Sequence, residues 1–145
     1  MIIKADINDI NVVVELAFKL WKHHTIDELK KEFINVLENN KSVVFIKYIS
    51  DKPIGFAFCS LRNDYVEGAS TNPVGYLEGI FIDEAYRGNG YAKNLLSECE
   101  RWAKNHKCME FASDCSIDNS ESILFHNRAG FNVSNKIICF IKNIK

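Results

Sequence analysis

The stretch EAYRGNGYAK, residues 84–93, lies between an apolar run, GYLEGIFI at residues 75–82, and an amphipathic pattern that begins near Ala92. A predicted strand therefore passes into a predicted helix through a segment with two glycines, Gly88 and Gly90. Glycine is favoured where the backbone takes a positive φ or approaches another group closely. A helix start also presents unpaired N–H groups and the positive end of the helix dipole. The segment therefore favours a site for a small anion.

Apolar spacing before this loop predicts two helices and a hairpin. A short strand from Ile2 to Ala5 leads into a helix with apolar residues three and four positions apart, capped by Asp6 or Asn8. A second helix follows it, with apolar residues on one face and charged residues on the other. The runs SVVFIKYI (42–49) and PIGFAFCSL (53–61) then predict two strands joined as a hairpin.

The second half of the chain alternates strands and helices. Residues 62–74, RNDYVEGASTNPV, form a polar connection whose length indicates a functional or mobile loop. After the glycine loop and its helix, the pattern predicts a strand at MEFAS (109–113), a helix from about Asn119 to Arg128 and a final β segment to about Ile141. This alternation predicts an α/β fold, with a mixed sheet and helices on both faces.

Composition restricts the class of protein. With 145 residues, 47% of them hydrophobic, the chain has the size and apolar content of one domain spanning residues 1–145. Its 18 basic and 19 acidic side chains provide no overall field to attract nucleic acid or an anionic membrane. We expect a cytoplasmic protein because no secretion signal or membrane-spanning run is visible. The five cysteines form no Cys-x-x-Cys pair and are interpreted as reduced thiols.

The glycine loop matches neither common nucleotide-binding motif. A dinucleotide-binding loop is not supported, because Lys93 is too bulky for its last glycine position and the loop follows a late strand. A P-loop is not supported, because no Gly-Lys-Ser/Thr is present. Two interpretations stay open at this point: a cradle for a phosphate or pyrophosphate, helped by the charges of Arg87 and Lys93, or a turn whose glycines satisfy only local geometry.

Two motifs at the expected separation resemble the GNAT-type N-acetyltransferases. Their acyl-coenzyme A loop, Arg/Gln-x-x-Gly-x-Gly/Ala, is matched by Arg87, Gly90 and Ala92. Their second motif is an Asn that opens a later helix, followed by a small residue, an apolar pair and Gly-Phe, and the stretch DNSESILFHNRAGF (118–131) matches it. The resemblance implies the GNAT fold, with a mixed, mostly antiparallel sheet, and acetyl-coenzyme A as co-substrate without a metal.

The same resemblance implies which residues meet the cofactor. The backbone of 88–93 would hold the pyrophosphate, and the end of the preceding strand would pair with the pantetheine. The implied cofactor contacts are Ile80, Phe81, Ile82, Arg87, Gly88, Asn89, Gly90, Tyr91, Ala92, Lys93 and Asn119. Many members place a tyrosine seven residues after the asparagine, where it can protonate the departing thiolate. This chain has His126 there, which is either an acid near neutral pH or a packed residue.

An acetyl acceptor amine must be recognised as a cation and must then lose a proton. Glu78 interrupts the apolar strand 75–82, where a carboxylate is costly unless it is paired or lines a cavity. Asp114 ends the next predicted strand, so adjacent strands would bring both acids toward the cofactor. We predict Glu78 as proton acceptor and Asp114 as the group that orients the amine. For Asp114 a role as a helix or turn cap stays open.

Within that superfamily the chain is most similar to the aminoglycoside 6'-N-acetyltransferases. The similarity lies in LW (20–21), DYVEGASTNPVGYLEGIFI (64–82), RGNGYA (87–92), WAK (102–104) and EFASDCSIDNS (110–120). The aminoglycoside contacts it implies are Trp21, His24, Tyr65, Glu78 and Asp114.

This resemblance also implies a homodimer. In some relatives an acid near the C terminus reaches the drug from the dimer partner, and the corresponding position here is Asn135. The predicted function is acetyl transfer to the 6'-amine of aminoglycosides, which confers antibiotic resistance. The alternatives are an acetyltransferase for another small amine or a protein N-terminus, or a non-catalytic acyl-coenzyme A sensor.

Overall fold

The computed structural model describes residues 1–145, and the elements follow the predicted order as far as residue 128. The strands are β1 (Ile2–Lys4), β2 (Ser42–Ile49), β3 (Lys52–Arg62), β4 (Val74–Ile82) and β5 (Phe111–Ser113). The helices are α1 (Ile10–Leu20), α2 (Ile26–Glu38), α3 (Tyr91–Asn105) and α4 (Ser120–Arg128). Short 3₁₀ turns at Ile7–Asp9 and Glu84–Tyr86 precede α1 and α3. None of these helices combines the length and the apolar character needed to cross a bilayer.

Side-chain caps set the starts of the N-terminal helices. The Thr25 hydroxyl accepts from the N–H of Glu28, and the Glu28 carboxylate accepts from the N–H of Thr25, which makes a capping box for α2. Asp6 caps the 3₁₀ turn ahead of α1 in the same reciprocal way with Asp9. Of the two predicted caps, Asp6 is therefore the cap, and Asn8 supplies one of the N–H groups that Asp6 accepts.

The sheet has the strand order β1-β2-β3-β4-β5. Its first four strands are antiparallel neighbours, and β5 alone runs parallel to β4. The parallel pairing spans only three residue pairs, from Gly75↔Phe111 to Leu77↔Ser113. The prediction of a mixed, mostly antiparallel sheet is confirmed.

Both faces of the sheet are covered by helices, as predicted. Helices α1 and α2 bury Leu16 and Phe33 against one face of β2 and β3, and α3 buries Leu95 and Trp102 against the other. The alternation along β2 places Val44 in the first core and Val43 in the second. Burial on both faces explains why these strands are nearly continuous apolar runs.

The predicted final β segment to about Ile141 is wrong for the single chain. Residues after α4 form neither helix nor strand, because no strand of the same chain lies beside them. We call residues 132–145 the C-terminal arm. Its exposed large apolar side chains are Val133, Ile137, Ile138, Phe140, Ile141 and Ile144.

Candidate active site

The glycine loop enters α3 through two left-handed residues. Gly88 has φ 83° and Gly90, the N-cap residue of α3, has φ 80°. A Cβ added at either glycine would meet no atom within 4 Å, so the loop faces open space. The Arg87 Nε donates to the Ile82 carbonyl at 2.8 Å, and the Asn89 Nδ2 donates to the Tyr86 carbonyl at 2.9 Å. These contacts hold the loop in shape while its outer surface stays free.

The backbone N–H groups of residues 88–93 donate to no acceptor in the protein. The next N–H along the chain, that of Asn94, does have a protein partner and donates to the Gly90 carbonyl at 3.1 Å. Six successive donors at the positive end of a 15-residue helix form a cradle for phosphate oxygens. The segment predicted for the pyrophosphate thus has the chemistry that a pyrophosphate requires.

Strands β4 and β5 separate beyond Leu77 and Ser113. From Glu78 to Ile82, β4 pairs with β3 on one side only. The free edge of β4 can therefore pair with an extended chain that carries amides. This edge leads directly into the glycine loop, so the predicted pantetheine and pyrophosphate positions are contiguous.

Glu78 is bound by two residues of the neighbouring strand. The Arg62 Nη2 donates to both carboxylate oxygens, at 2.7 Å to Oε1 and 3.0 Å to Oε2, and the Arg62 Nε adds a bond of 3.1 Å to Oε2. The Ser60 hydroxyl donates to the same Oε2 at 2.5 Å. The Glu78 side chain is 22% exposed and that of Arg62 41%. The acid that interrupts an apolar strand is thus paired, as its cost of burial requires.

Tyr76 joins this ion pair to Asp114. The guanidinium carbon of Arg62 lies 3.5 Å from the centroid of the Tyr76 ring, and the Tyr76 hydroxyl donates to Asp114 Oδ2. Burial, followed by the hydrogen bond to Asp114, raises the pKa of Tyr76, which therefore stays a donor. The hydrogen bonds to Glu78 raise the pKa of Arg62 further above its usual range. We call these five residues, Ser60, Arg62, Tyr76, Glu78 and Asp114, the carboxylate array.

The array brings the two predicted acids into one network and adds three residues that sequence reasoning missed. Ser60 is registered opposite Tyr76. Arg62 lies two residues after Ser60 on β3, and Glu78 lies two residues after Tyr76 at the register shift of β4, where its carboxylate meets both Ser60 and Arg62. A polar residue at every second position of two paired strands was the available signal. It was obscured because both runs otherwise consist of apolar residues.

Trp21 lies beside the array at the end of α1. Its ring packs against Phe33 and Phe56, with centroid distances of 6.2 and 5.9 Å. A Cβ at Gly79, the residue after Glu78, would lie 2.5 Å from the Trp21 ring, so only glycine allows this approach. The indole therefore has a core-packing role and borders the strand that carries Glu78.

The other predicted aminoglycoside contacts form separate surface groups. Tyr65, 81% exposed, donates to Glu67, which also accepts a 2.5 Å bond from Asn135 of the C-terminal arm. The Tyr65 bond is the larger cause that lowers the pKa of Glu67, and the Asn135 bond is the smaller. His24 stacks on His23 at 4.4 Å and lies 3.8 Å from Glu28. Neither group hydrogen-bonds to the carboxylate array.

The long connection between β3 and β4 is anchored by Glu110. This carboxylate accepts from the N–H groups of Ser70 and Thr71, at 2.9 and 2.8 Å, and from the Thr71 hydroxyl. The bonds from Thr71 and Ser70 lower the pKa of Glu110. Val66 is buried under the same loop, so the connection is held at both its middle and its end.

Two residues of the second motif lie next to the separation of β4 and β5. The Asn119 side chain caps α4 by accepting from the N–H of Ser122 at 3.2 Å. His126 Nδ1 is 2.7 Å from the Ser122 carbonyl, so this nitrogen carries a proton. Its Nε2 is 2.8 Å from the hydroxyl of Ser113, the last residue of β5. His126 is therefore packed and also connected to the place where the strands separate.

No three His, Cys, Asp or Glu side chains are grouped so that they could hold a metal ion.

Comparison with known proteins identifies relatives along nearly the whole chain. Residues 10–131 match the model of the acetyltransferase (GNAT) family. An aminoglycoside N(6')-acetyltransferase type 1 of Acinetobacter haemolyticus is 37% identical over 90% of each chain. The solved structure of AAC(6')-Iy with the bisubstrate analogue CoA-S-monomethyl-acetylneamine has a TM-score of 0.95 at 33% identity, covering 99% of this chain and 98% of that one. Apo AAC(6')-Ig from Acinetobacter haemolyticus also has a TM-score of 0.95, at 34% identity, covering 100% and 99%.

Proposed function

This chain belongs to the acetyltransferase (GNAT) family, and we propose that it transfers the acetyl group of acetyl-coenzyme A to the 6'-amino group of an aminoglycoside. The observation that carries the proposal is the carboxylate array at the point where β4 leaves β5, on the strand that runs into the glycine loop. An acidic group suited to an ammonium, Glu78, and N–H groups suited to a pyrophosphate thus lie on one continuous strand and loop, with Asp114 joined to them from the end of β5. Acetylation of the drug confers resistance to it.

Binding of acetyl-coenzyme A uses backbone groups more than side chains. The pyrophosphate accepts from the N–H groups of residues 88–93, with Arg87 and Lys93 adding positive charge. The pantetheine amides pair with the free edge of β4 at residues 80–82 and place the thioester near Glu78. Asn119 contributes a further contact from the start of α4. The co-substrate supplies an activated acetyl group, and no metal takes part.

The acceptor amine must reach the thioester uncharged. Glu78 accepts its proton through a water molecule, because three donated bonds already occupy Oε2 and one occupies Oε1. Asp114 holds and orients the cationic sugar with the acceptor positions that Tyr76 leaves free. The amine nitrogen then bonds to the acetyl carbon while backbone N–H groups at 80–82 stabilise the oxyanion. When the C–S bond breaks, the remaining proton that the nitrogen must lose passes to the departing thiolate, and coenzyme A leaves as the thiol.

Three further residues contact the aminoglycoside in this proposal. Trp21 borders the array and offers an apolar wall to a sugar ring. Tyr65 and His24 lie at the exposed rim, where their rings are free to meet the outer rings of the drug. The similarity to the aminoglycoside N(6')-acetyltransferases supports these assignments.

Thiol release from acetyl-coenzyme A tests the proposal. Purified protein should turn over with kanamycin or tobramycin and not with a similar aminoglycoside that has a 6'-hydroxyl. Glu78→Gln should lower kcat/KM by about 100-fold, the usual contribution of a general base. Glu98→Gln is the matched control because it removes a carboxylate from a surface ion pair on α3. Unchanged turnover in Glu78→Gln refutes the proton-acceptor role, and turnover with other amines alone refutes the substrate.

We also propose a homodimer in which the C-terminal arm of one copy lies on the other. Ile138, Phe140 and Ile141 are 80%, 90% and 98% exposed, although their pattern is that of a strand. Strand β5 has β4 as its only neighbour, so its other edge is open to a strand from a second copy. The apolar arm of one copy can therefore pair as a strand with the open edge of β5 in the other copy.

Ile138→Asp tests this assembly, with Ile26→Asp as the matched control. Ile26 is another exposed isoleucine, 46% exposed against 80% for Ile138, and it lies at the first position of α2, where an acid suits the helix dipole. Light scattering with size exclusion should find a dimer for wild type and for Ile26→Asp, and a monomer for Ile138→Asp. A dimer in all three refutes the role of the arm.

We propose that the protein acts in the cytoplasm. Its five cysteines stay unpaired, and Cys59 and Cys99 are buried as neighbouring thiols. Free thiols are typical of a reducing compartment. A thiol titration of protein isolated from the cell under alkylating conditions should count five free groups.

A further inference from the structure

We infer that Arg62 is a positioning residue of the acetyl transfer. It holds the Glu78 carboxylate so that Oε1, and not Oε2, is the oxygen that can accept a bond from the substrate. The inference rests on the proposed function. Arg62 contacts no predicted cofactor position, and its bonds are to Glu78 and to the ring of Tyr76. Its task is therefore to fix another side chain rather than to touch the reacting atoms.

The geometry gives the Arg62 guanidinium one orientation. In its own plane it donates through Nε and Nη2 to both oxygens of Glu78, with distances from 2.7 to 3.1 Å. On its face it lies 3.5 Å from the Tyr76 centroid. The Tyr76 ring is in turn held by its bond to Asp114. A planar fork stacked on an aromatic ring cannot be replaced by the single ammonium of lysine.

The bonds to Glu78 are distributed unequally between its two oxygens. Oε2 accepts from Ser60 and from two Arg62 nitrogens, whereas Oε1 accepts only from Arg62 Nη2. Because a carboxylate oxygen has about two lone-pair positions, Oε2 is saturated and Oε1 retains one. That remaining position is the one at which a water or an ammonium can bind. Arg62 and Ser60 therefore decide which way Glu78 presents its acceptor.

Arg62 also sets the charge of the array. Two carboxylates and one guanidinium give a net charge of −1, which attracts one ammonium without placing two unpaired acids side by side. The groups that face Glu78 are Arg62 and Ser60 from β3 and Tyr76 from its own strand, with Asp114 beyond the tyrosine at the end of β5. Loss of Arg62 removes the only cation among them and leaves two carboxylates without a counter-charge.

Arg62→Ala with chemical rescue tests the inference. We expect kcat/KM for kanamycin to fall by about 100-fold, since displacement of a catalytic group by about 1 Å has that effect. Arg62→Lys should stay low because lysine lacks the fork. Millimolar ethylguanidinium should restore much of the activity of Arg62→Ala, and KM for acetyl-coenzyme A should not change.

Arg101→Ala, which breaks a surface pair with Glu98, is the control and should match wild type with or without ethylguanidinium.

The outcomes separate the two proposals. A wild-type protein without aminoglycoside turnover refutes the proposed function and the role of Arg62 with it. An active wild type together with an Arg62→Ala variant as active as Arg101→Ala refutes only the positioning role. Higher kcat/KM in Arg62→Ala also refutes it, because Arg62 would then compete with the substrate for Glu78. A loss that ethylguanidinium does not restore, accompanied by a lower melting temperature, refutes it in favour of a purely structural ion pair.

Discussion

The chain divides at Ala103 into two regions, of which only the first contains buried residues. All 30 buried residues lie between Ala5 and Ala103, and none lies in residues 104–145. The first region contains four antiparallel strands and three helices that enclose two apolar cores. The second contains β5, α4 and the C-terminal arm, whose apolar contacts with the first region involve partly buried side chains such as Phe111 and Phe125.

The second region keeps large apolar side chains exposed, and in the proposed dimer a second copy covers them. Its large apolar side chains that stay exposed include Met109, Ile117 and Leu124 in addition to those of the C-terminal arm. Several exposed apolar groups within about 35 residues are typical of a surface that another molecule covers. The two acids proposed for acetyl transfer come from both regions, Glu78 from the first and Asp114 from the second.

The largest expected effect comes from a pair of phenylalanines, one from each region. Phe33→Ala should destabilise the protein by about 3–5 kcal/mol, because Phe33 is fully buried against Phe56 and Phe58. Phe140→Ala should leave the stability of the monomer unchanged and lower the melting temperature only at protein concentrations where the dimer forms. Thermal unfolding over a range of protein concentrations measures both.

If Phe140→Ala destabilises the protein equally at every concentration, Phe140 stabilises the monomer and the predicted difference from Phe33 is wrong. The C-terminal arm would then pack within its own chain, and the division at Ala103 would not separate a self-sufficient region from a dependent one.

Two glycines with similar backbone conformations, one in each region, allow the stability of the two regions to be compared. Gly90 (φ 80°) and Gly130 (φ 95°) are both left-handed, and a Cβ at either would meet no atom. Substitution by alanine costs about 1–2 kcal/mol of local backbone energy at each site. Gly90→Ala should show this cost in global unfolding and should raise KM for acetyl-coenzyme A. Gly130→Ala should show a smaller global cost, because α4 can open without the main core. Equal melting temperatures for the two variants would indicate one cooperative unit.

The smallest expected effect is on the anchor that joins the regions, Glu110. Its folded-state pKa is lowered by Thr71 and Ser70, so its stabilisation is present above the unfolded pKa and is lost as pH falls through the folded value. Glu110→Gln should therefore lower the melting temperature slightly at pH 7, and the difference from wild type should disappear as the pH falls through the lowered pKa of Glu110. Hydrogen exchange at the Ser70 and Thr71 amides should show the same convergence. A difference that persists at low pH would mean that the carboxylate charge is not what anchors the loop.

The sequence predicted the first region well because its signals are local. Apolar runs, the Asp6 cap and the glycine loop all depend on neighbours in the chain. The final strand was predicted wrongly because a strand needs a partner, and periodicity cannot say whether that partner is in the same chain.

The candidate site was predicted in part, for the same reason. Glu78 and Asp114 could be selected as acids at strand positions where an acid is unusual. Arg62 and Ser60 could not, because their role depends on the register that places β3 beside β4. The assigned roles of Glu78 and Asp114 stay predictions until turnover is measured.

The unpaired N–H groups of residues 88–93 have a consequence for how this protein can change over evolutionary time. Donors that belong to the main chain are present whatever side chains occupy the loop, so most mutations there cannot delete them. Substitutions in the side chains around the carboxylate array can therefore change the drug preference without removing the main-chain donors that bind the coenzyme. Because main-chain groups bind the coenzyme and side chains bind the drug, one fold can acquire activity toward different antibiotics.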